Sequence, residues 1–278
     1  MKFFCSHIIF VFLLFITGSC CFCDEEKIVA EPEKPILTFA VAGHVYGSPG
    51  ILEPTIYRPF LKQIKKDILS KNISGLFLTG DVVAESTKEN WDAVKAQLDS
   101  LRIDWYISRG NHDISQYLDQ NIQPEKYLAV KESSNLFLVL NSNFPGWTLD
   151  SAEIIFVENE LKNVQSGDNI FVFTHQLWWE KNRPHDFGLD SVRSNSHEFL
   201  EGKSDFWQDA FPLFDSLTNQ VYFFAGDIGS HHLLESYYED HYKNYHFYAS
   251  GMGGGKEDNY LVVSVFKNGD VEIERIDF

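Results

Sequence analysis

The sequence predicts an α/β fold in which two mixed β-sheets pack together beneath covering helices. Three observations predict it. Strand-like and helix-like segments alternate through the first half of the chain, the pattern of parallel strands joined by crossover helices. The C-terminal part turns to β-structure, where residues 260–266 and 271–276 flank Asn268-Gly269, a strong hairpin signal. Five strand-like segments each end in a residue able to hold a metal ion. In open α/β sheets the crevice beyond the carboxyl ends of the strands is where ligands bind.

The chain of 278 residues carries a formal charge of −17, which disfavours nonspecific binding to nucleic acid or anionic membrane. Its 24 phenylalanines supply ample material for a continuous core. Lys2 precedes an apolar run at residues 8–16 and the small residues Thr17-Gly18-Ser19. That run has the length of a signal-peptide core and is short for a membrane span, so residues 1–23 are expected to direct export. The four cysteines, Cys5, Cys20, Cys21 and Cys23, all lie there, leaving the rest without disulfides or thiolate ligands. Cys20 after Thr-Gly-Ser resembles a bacterial lipoprotein cleavage site, except that Thr17 stands where an aliphatic residue is usual. The expectation is therefore either a lipid anchor at Cys20 in the periplasm or cell envelope, or plain secretion. Residues 24–35 are acidic, carry Pro32 and Pro35, and read as an exposed tether. Residues 36–278 show no second linker and no repeat, and form one expected domain.

Within that domain, residues 36–42 run into His44, and residues 75–79 into Gly80-Asp81. Residues 103–108 run into Gly110-Asn111-His112-Asp113, residues 169–173 into Thr174-His175, and residues 220–225 into Gly226-Asp227. Helices are expected at 57–70 and 87–101, between the first three strands. Residues 136–140 form a further strand ending at Asn141. Asp150 and Glu153 make a capping box ahead of a helix through residue 161. Residues 176–205 show little periodicity, and long loops inside domains are commonly functional. Trp178, Trp179, Arg183, His185 and Arg193 are candidates there for a pocket wall, with core filling the alternative for the tryptophans. Residues 206–217 read as a helix and 245–249 as a strand. Gly251 to Lys256 fails the spacing of a phosphate-binding loop and reads instead as close backbone approach.

Gly110-Asn111-His112-Asp113 after one strand and Gly80-Asp81 after the strand before it resemble the calcineurin-like metallophosphoesterase superfamily. The likeness runs in order through most of residues 36–278. It implies a four-layer sandwich, two mixed sheets between helices, and hydrolysis of a phosphate mono- or diester with metal-activated water. It also implies that Asp81 bridges two metals, that Asn111 and His175 hold the second and His44 the first. His112 is then no ligand but the donor of a proton to the leaving oxygen. Carboxylate, amide oxygen and imidazole suit divalent ions, and imidazole titrates near neutral pH. Arg109 and His44 are the candidates for substrate contact, and Glu85 is a candidate to orient His112. The implied substrate is a phosphorylated small molecule, glycan or lipid.

Two motifs depart from the pattern. Ala42-Gly43-His44 lacks the aspartate of the first, and Gly226-Asp227-Ile228-Gly229 lacks both histidines of the last. Asp227 offers a carboxylate to the second metal, whereas Ala42 and Gly229 offer nothing to the first. The expectation is one strong site and one weak, with one or two ions per chain. Exchanging nitrogen for oxygen favours Mn²⁺, Fe or Mg²⁺ over Zn²⁺. His231 or His232 is a candidate replacement ligand, with a surface-loop position the alternative. The rival to an enzyme is a catalytically inactive relative that binds a ligand or an envelope partner.

Overall fold

The computed structural model describes residues 33–48, 55–143, 147–180, 188–196, 206–230 and 235–278. Residues 1–23, most of the tether, Arg183, His185, His231 and His232 lie outside the described residues. In order the elements are β1 (Leu37–Ala42), α1 (Arg58–Lys71), β2 (Gly75–Leu78), α2 (Lys88–Asp99), β3 (Asp104–Ile107), β4 (Leu128–Glu132) and β5 (Asn135–Val139). Then come α3 (Ser151–Leu161), β6 (Asn169–Phe173), the short α4 (Pro212–Asp215), β7 (Val221–Ala225), β8 (Tyr237–Tyr242), β9 (Tyr245–Ser250), β10 (Asn259–Val265) and β11 (Val271–Asp277). No helix among the described residues is long and apolar enough to cross a membrane.

The strands form two mixed sheets, one in the order β11-β10-β1-β2-β3 and the other β4-β5-β6-β7-β9-β8. In the first, β1, β2 and β3 are parallel while β10 runs antiparallel to both β1 and β11. In the second, β5, β6, β7 and β9 are parallel, with β4 and β8 antiparallel at the edges. The crossover helices follow from local sequence. Thr87 caps α2 by accepting from the Asn90 N–H, and Asp150 caps α3 by accepting from Glu153.

Alternation along each strand builds the layers. In β1, Phe39 and Val41 face the second sheet, while Ala40 lies on the opposite face, in the cluster that includes α1 and α2. Phenylalanines fill the space between the sheets: Phe39 meets Phe137 at 5.3 Å and Phe77 stacks on Phe173 at 4.2 Å between ring centroids. Burying each such side chain stabilises the fold by roughly 1.5–3 kcal/mol. On one outer face Phe60, Ile64, Trp91, Val94 and Leu98 bring the helices onto the first sheet. On the other, Val157, Leu161, Trp178, Trp179 and Phe206 cover the second.

Two expectations need correction, and two strands were not expected. The helix expected at 206–217 is a wide π-type turn, Phe206–Ala210, followed by α4 starting at Pro212. Proline has no N–H to give the preceding turn and its ring crowds it, so one continuous helix cannot form. The capping box of α3 is half made: Asp150 caps, but the Glu153 carboxylate accepts instead from the Asn141 N–H at 2.6 Å. Two edge strands, β4 and β8, carry too many polar and exposed residues to be read as strands. Their partners decide their structure.

Candidate metal centre

The ends of β1, β2, β3, β6 and β7 deliver His44, Asp81, Asn111, His175 and Asp227 to one crevice, with His112 beside them. His44 and Asp81 both hold left-handed backbone, with φ of 56° and 51°. Non-glycine residues in that region mark positions that the surroundings impose. Gly80 precedes Asp81 at φ 82°, and a Cβ there would lie 2.3 Å from His175 Nδ1. Only glycine lets the imidazole come this close.

Four donor atoms converge. His175 Nε2 lies 3.2 Å from Asn111 Oδ1, 3.4 Å from Asp81 Oδ1 and 3.9 Å from Asp227 Oδ1. Ligand atoms about 2.1 Å from a common ion sit roughly 3–4 Å from one another. His175 Nδ1 is 2.9 Å from the Thr79 carbonyl, so it carries the proton and leaves Nε2 facing the other donors. Asp81, His175 and Asp227 form the one cluster of metal-capable side chains among the described residues. His44 is fixed in the same manner, Nδ1 donating to the Met252 carbonyl at 2.8 Å, with Nε2 3.6 Å from Asp81 Oδ2. No third histidine, cysteine, aspartate or glutamate completes a cluster with that pair among the described residues.

The electrostatics fit a cation. Asp81 is 3% exposed and Asp227 2%, and no lysine or arginine among the described residues pairs with either. Burial pushes Asp227 up to about 6, outweighing the opposite pull of His175 beside it. Burial opposes charging His175, yet Asp81 and Asp227 beside it raise its pKa. For His44 burial prevails and the pKa falls. Asp113 plays another part. Its buried carboxylate accepts the N–H groups of Val82 at 2.8 Å, Val83 at 3.2 Å and Gly110 at 2.8 Å. It thereby ties the loop carrying Asp81 to the loop carrying Asn111 and His112.

His112 stands on the solvent side of the crevice, its backbone N–H donating to Asp81 Oδ1 at 3.2 Å. Its Nδ1 is 2.8 Å from the Ala84 carbonyl. The backbone of Ala84, not the side chain of Glu85, therefore orients this ring. Arg109 is a correction: it is 3% exposed, its guanidinium pairs with Asp119 and donates to the Gln123 carbonyl at 2.7 Å. It is committed to the loop after β3 and does not line the cleft over the site. Trp178 and Trp179 are buried in the core beneath the second sheet, and Arg193 is exposed and is not among the residues lining the crevice. At the altered last motif, Gly229 has φ 81° and a Cβ there would meet Ser236 Cβ at 2.9 Å. The backbone has settled into a path that leaves no room for an imidazole.

A cleft of about 520 Å³ opens over these groups. Besides the strand-end residues it is lined by Tyr46, Trp147, Asn195, Ser196 and Ser230, none of which the sequence reading singled out. The Tyr46 ring lies 4.3 Å from that of His44 and 5.5 Å from that of His112. Asn195 and Ser196 arrive from the long segment after β6: Ser196 N–H donates to Asp227 Oδ2 at 3.2 Å, and Ser230 N–H to Asn195 Oδ1 at 2.9 Å. Only the position of Tyr46, two residues past a strand-end histidine, was a usable signal.

Two mixed sheets between helices, with buried oxygen and imidazole donors at the strand ends, define a hydrolase-type metal site of the α/β class. The chain belongs to the calcineurin-like phosphoesterase family, whose model matches residues 56–209. That span includes Asp81, the Gly110-Asn111-His112-Asp113 tetrad and His175, and ends before the altered last motif. A sequence comparison with curated proteins returns no match. Among solved structures the chain is similar to a dimetal phosphatase from Danio rerio at 12% identity and TM-score 0.58, over 87% of this chain and 98% of that one. It is also similar to GAP50, the anchor in the inner membrane complex of Plasmodium, at 16% identity and TM-score 0.51, over 87% and 89% of the two chains. At such identities these likenesses show the fold alone. Family and buried cluster together support a divalent-metal-dependent phosphoesterase.

Proposed function

We propose that this protein hydrolyses a phosphate mono- or diester at a site with one complete metal position and one incomplete. The observation that carries the proposal is the convergence of Asp81 Oδ1, Asn111 Oδ1, His175 Nε2 and Asp227 Oδ1 around one point. These four residues would hold the strong ion. His44 and the second oxygen of Asp81 would hold a weaker one, with Ala42 and Gly229 adding no ligand. Three oxygens to one nitrogen favour Mn²⁺, Fe or Mg²⁺ over Zn²⁺. A bound divalent ion supplies positive charge for the phosphoryl oxygens and acidity for the attacking water.

The chain's own residues do the rest. Asp81 and Asp227 fix the cation's place by their charge. Asp113 holds both reactive loops in register through three backbone bonds. With Nδ1–H committed to the Ala84 carbonyl, His112 keeps Nε2 free to carry a proton toward the leaving oxygen. Export rests on Lys2 and the apolar run at 8–16, with anchoring at Cys20 or release as the two forms of that proposal.

The test is turnover of p-nitrophenyl phosphate and bis-p-nitrophenyl phosphate with added Mn²⁺, alongside metal analysis of the purified protein. Metal-dependent turnover that disappears in Asp227→Ala supports the reading. A protein that binds its ion and turns over neither ester is instead a binding member of the family, the reading that Ala42 and Gly229 favour.

A further inference from the structure

We propose that Trp147 is a stacking platform for a planar aromatic group on the substrate, so that the site selects aryl or heteroaryl phosphate esters over alkyl ones. This deepens the phosphoesterase reading and rests on it. Trp147 lines the cleft together with Asn111, His112 and Tyr46. A group leaving toward His112 therefore departs within the same small space as this indole.

The backbone gives the second argument. Trp147 has φ 58°, a left-handed conformation that glycine or asparagine adopts readily and a bulky residue rarely does. Such outliers persist where something other than local preference demands the side chain, and they cluster at ligand sites. The base of its loop is pinned. Asn143 Nδ2 donates to the Arg109 carbonyl and to Asn141 Oδ1, and Asn143 Oδ1 accepts from Gln176 Nε2 at 2.9 Å.

The remaining tryptophans have evident structural work. Trp91 donates to Ser86 at 2.7 Å, and Trp105 to Asp99 at 3.2 Å beneath the Lys95 ammonium. Trp178 packs on Phe206, Trp179 on Phe247, and Trp207 donates to the Trp179 carbonyl. Trp147 is only partly buried, and among the described residues no other aromatic ring packs against it. Tyr46, locked between the His44 and His112 rings, gives the cleft a second aromatic surface.

The test compares two phosphonates that share one anionic head, phenylphosphonate and methylphosphonate, titrated calorimetrically into the Mn²⁺-loaded protein. The wild type is expected to bind the phenyl compound roughly tenfold more tightly, in line with aromatic stacking. Trp147→Gly should bring the two affinities together by weakening the phenyl compound alone. Trp147→Phe should keep most of the preference. Trp147→Gly should also melt no lower than wild type, because glycine accepts φ 58° without strain. Preference that survives in Trp147→Gly overturns the inference, as does its absence from the wild type. A marked loss of stability in that variant overturns it too, since the indole would then serve the fold. If the wild type binds neither phosphonate, the phosphoesterase reading itself fails and takes this inference with it.

Discussion

Replacing Glu153 by glutamine should make the protein's stability less sensitive to pH, by an amount that the structure sets. Glu153 is 2% exposed, and its carboxyl accepts the Asn141 N–H at 2.6 Å just beyond β5. Burial pushes its pKa up to about 8 from an ordinary value of 4.5. The folded protein therefore holds a proton that the unfolded chain releases near pH 4.5. This contribution to stability is complete below that pH, declines as pH rises, and is gone once pH passes the folded value of about 8. The slope in between is about 1.4 kcal/mol per pH unit. From pH 5.5 to 7.5 the wild type should thus lose about 3 kcal/mol relative to Glu153→Gln, which accepts the same N–H and never ionises. For a domain of this size that corresponds to a difference in Tm of roughly 5–10 °C. Thermal unfolding of both proteins in chelator at pH 5.5, 6.5 and 7.5 measures it. Asp113 and Asp227, each pushed up to about 6 by burial, titrate in both proteins and cancel from the difference. Parallel melting curves at all three pH values would refute the argument that this carboxyl is held neutral.

Other outcomes follow from the site. Asp227→Ala should weaken Mn²⁺ binding by more than the roughly 100-fold that losing an outer-shell partner can cost; an unchanged Mn²⁺ titration would remove Asp227 from the ligand set. His112→Ala should lower kcat by roughly 10²–10⁴-fold while metal content stays at the wild-type level, and loss of the ion would mean that His112 is a ligand. Ala42→Asp should raise bound Mn²⁺ per chain toward two, read by elemental analysis under saturating metal. Gly229→His should not do so, because φ 81° and the contact with Ser236 Cβ at 2.9 Å oppose any side chain. That variant should instead lose roughly 1–3 kcal/mol of stability in denaturant unfolding.

The site's skeleton was legible in the sequence because it sits where strands end. Short continuous apolar runs such as residues 169–173, buried at every position, announce themselves, and the residues just past them must share one edge of the sheet. His44, Asp81, Asn111, His175 and Asp227 were found on that ground, and the structure brings them together. Arg109 shows where such reasoning stops. Adjacency in sequence to Gly110-Asn111 suggested a phosphate contact, but its side chain turns to Asp119 and the Gln123 carbonyl, partners separated from it by a loop of unpredictable path. Trp147, Asn195 and Ser196 were illegible for the same reason, since loops that cross a cleft carry no periodicity. The edge strands β4 and β8 were missed because polar segments become strands only by pairing, as Leu128 does with Val139 and Tyr237 with Ser250.

Asp113 sits within the most recognisable motif of the chain, yet it points away from the reaction and into backbone amides of two loops. The crevice thus takes its shape from main-chain bonds that need no ion to form. A vessel finished before it is filled can lose one side chain, as at Ala42, or one whole motif, as at Gly229, and still keep its walls. Drift between catalyst and receptor then requires no new architecture. It needs only a change in which ends of the strands are furnished.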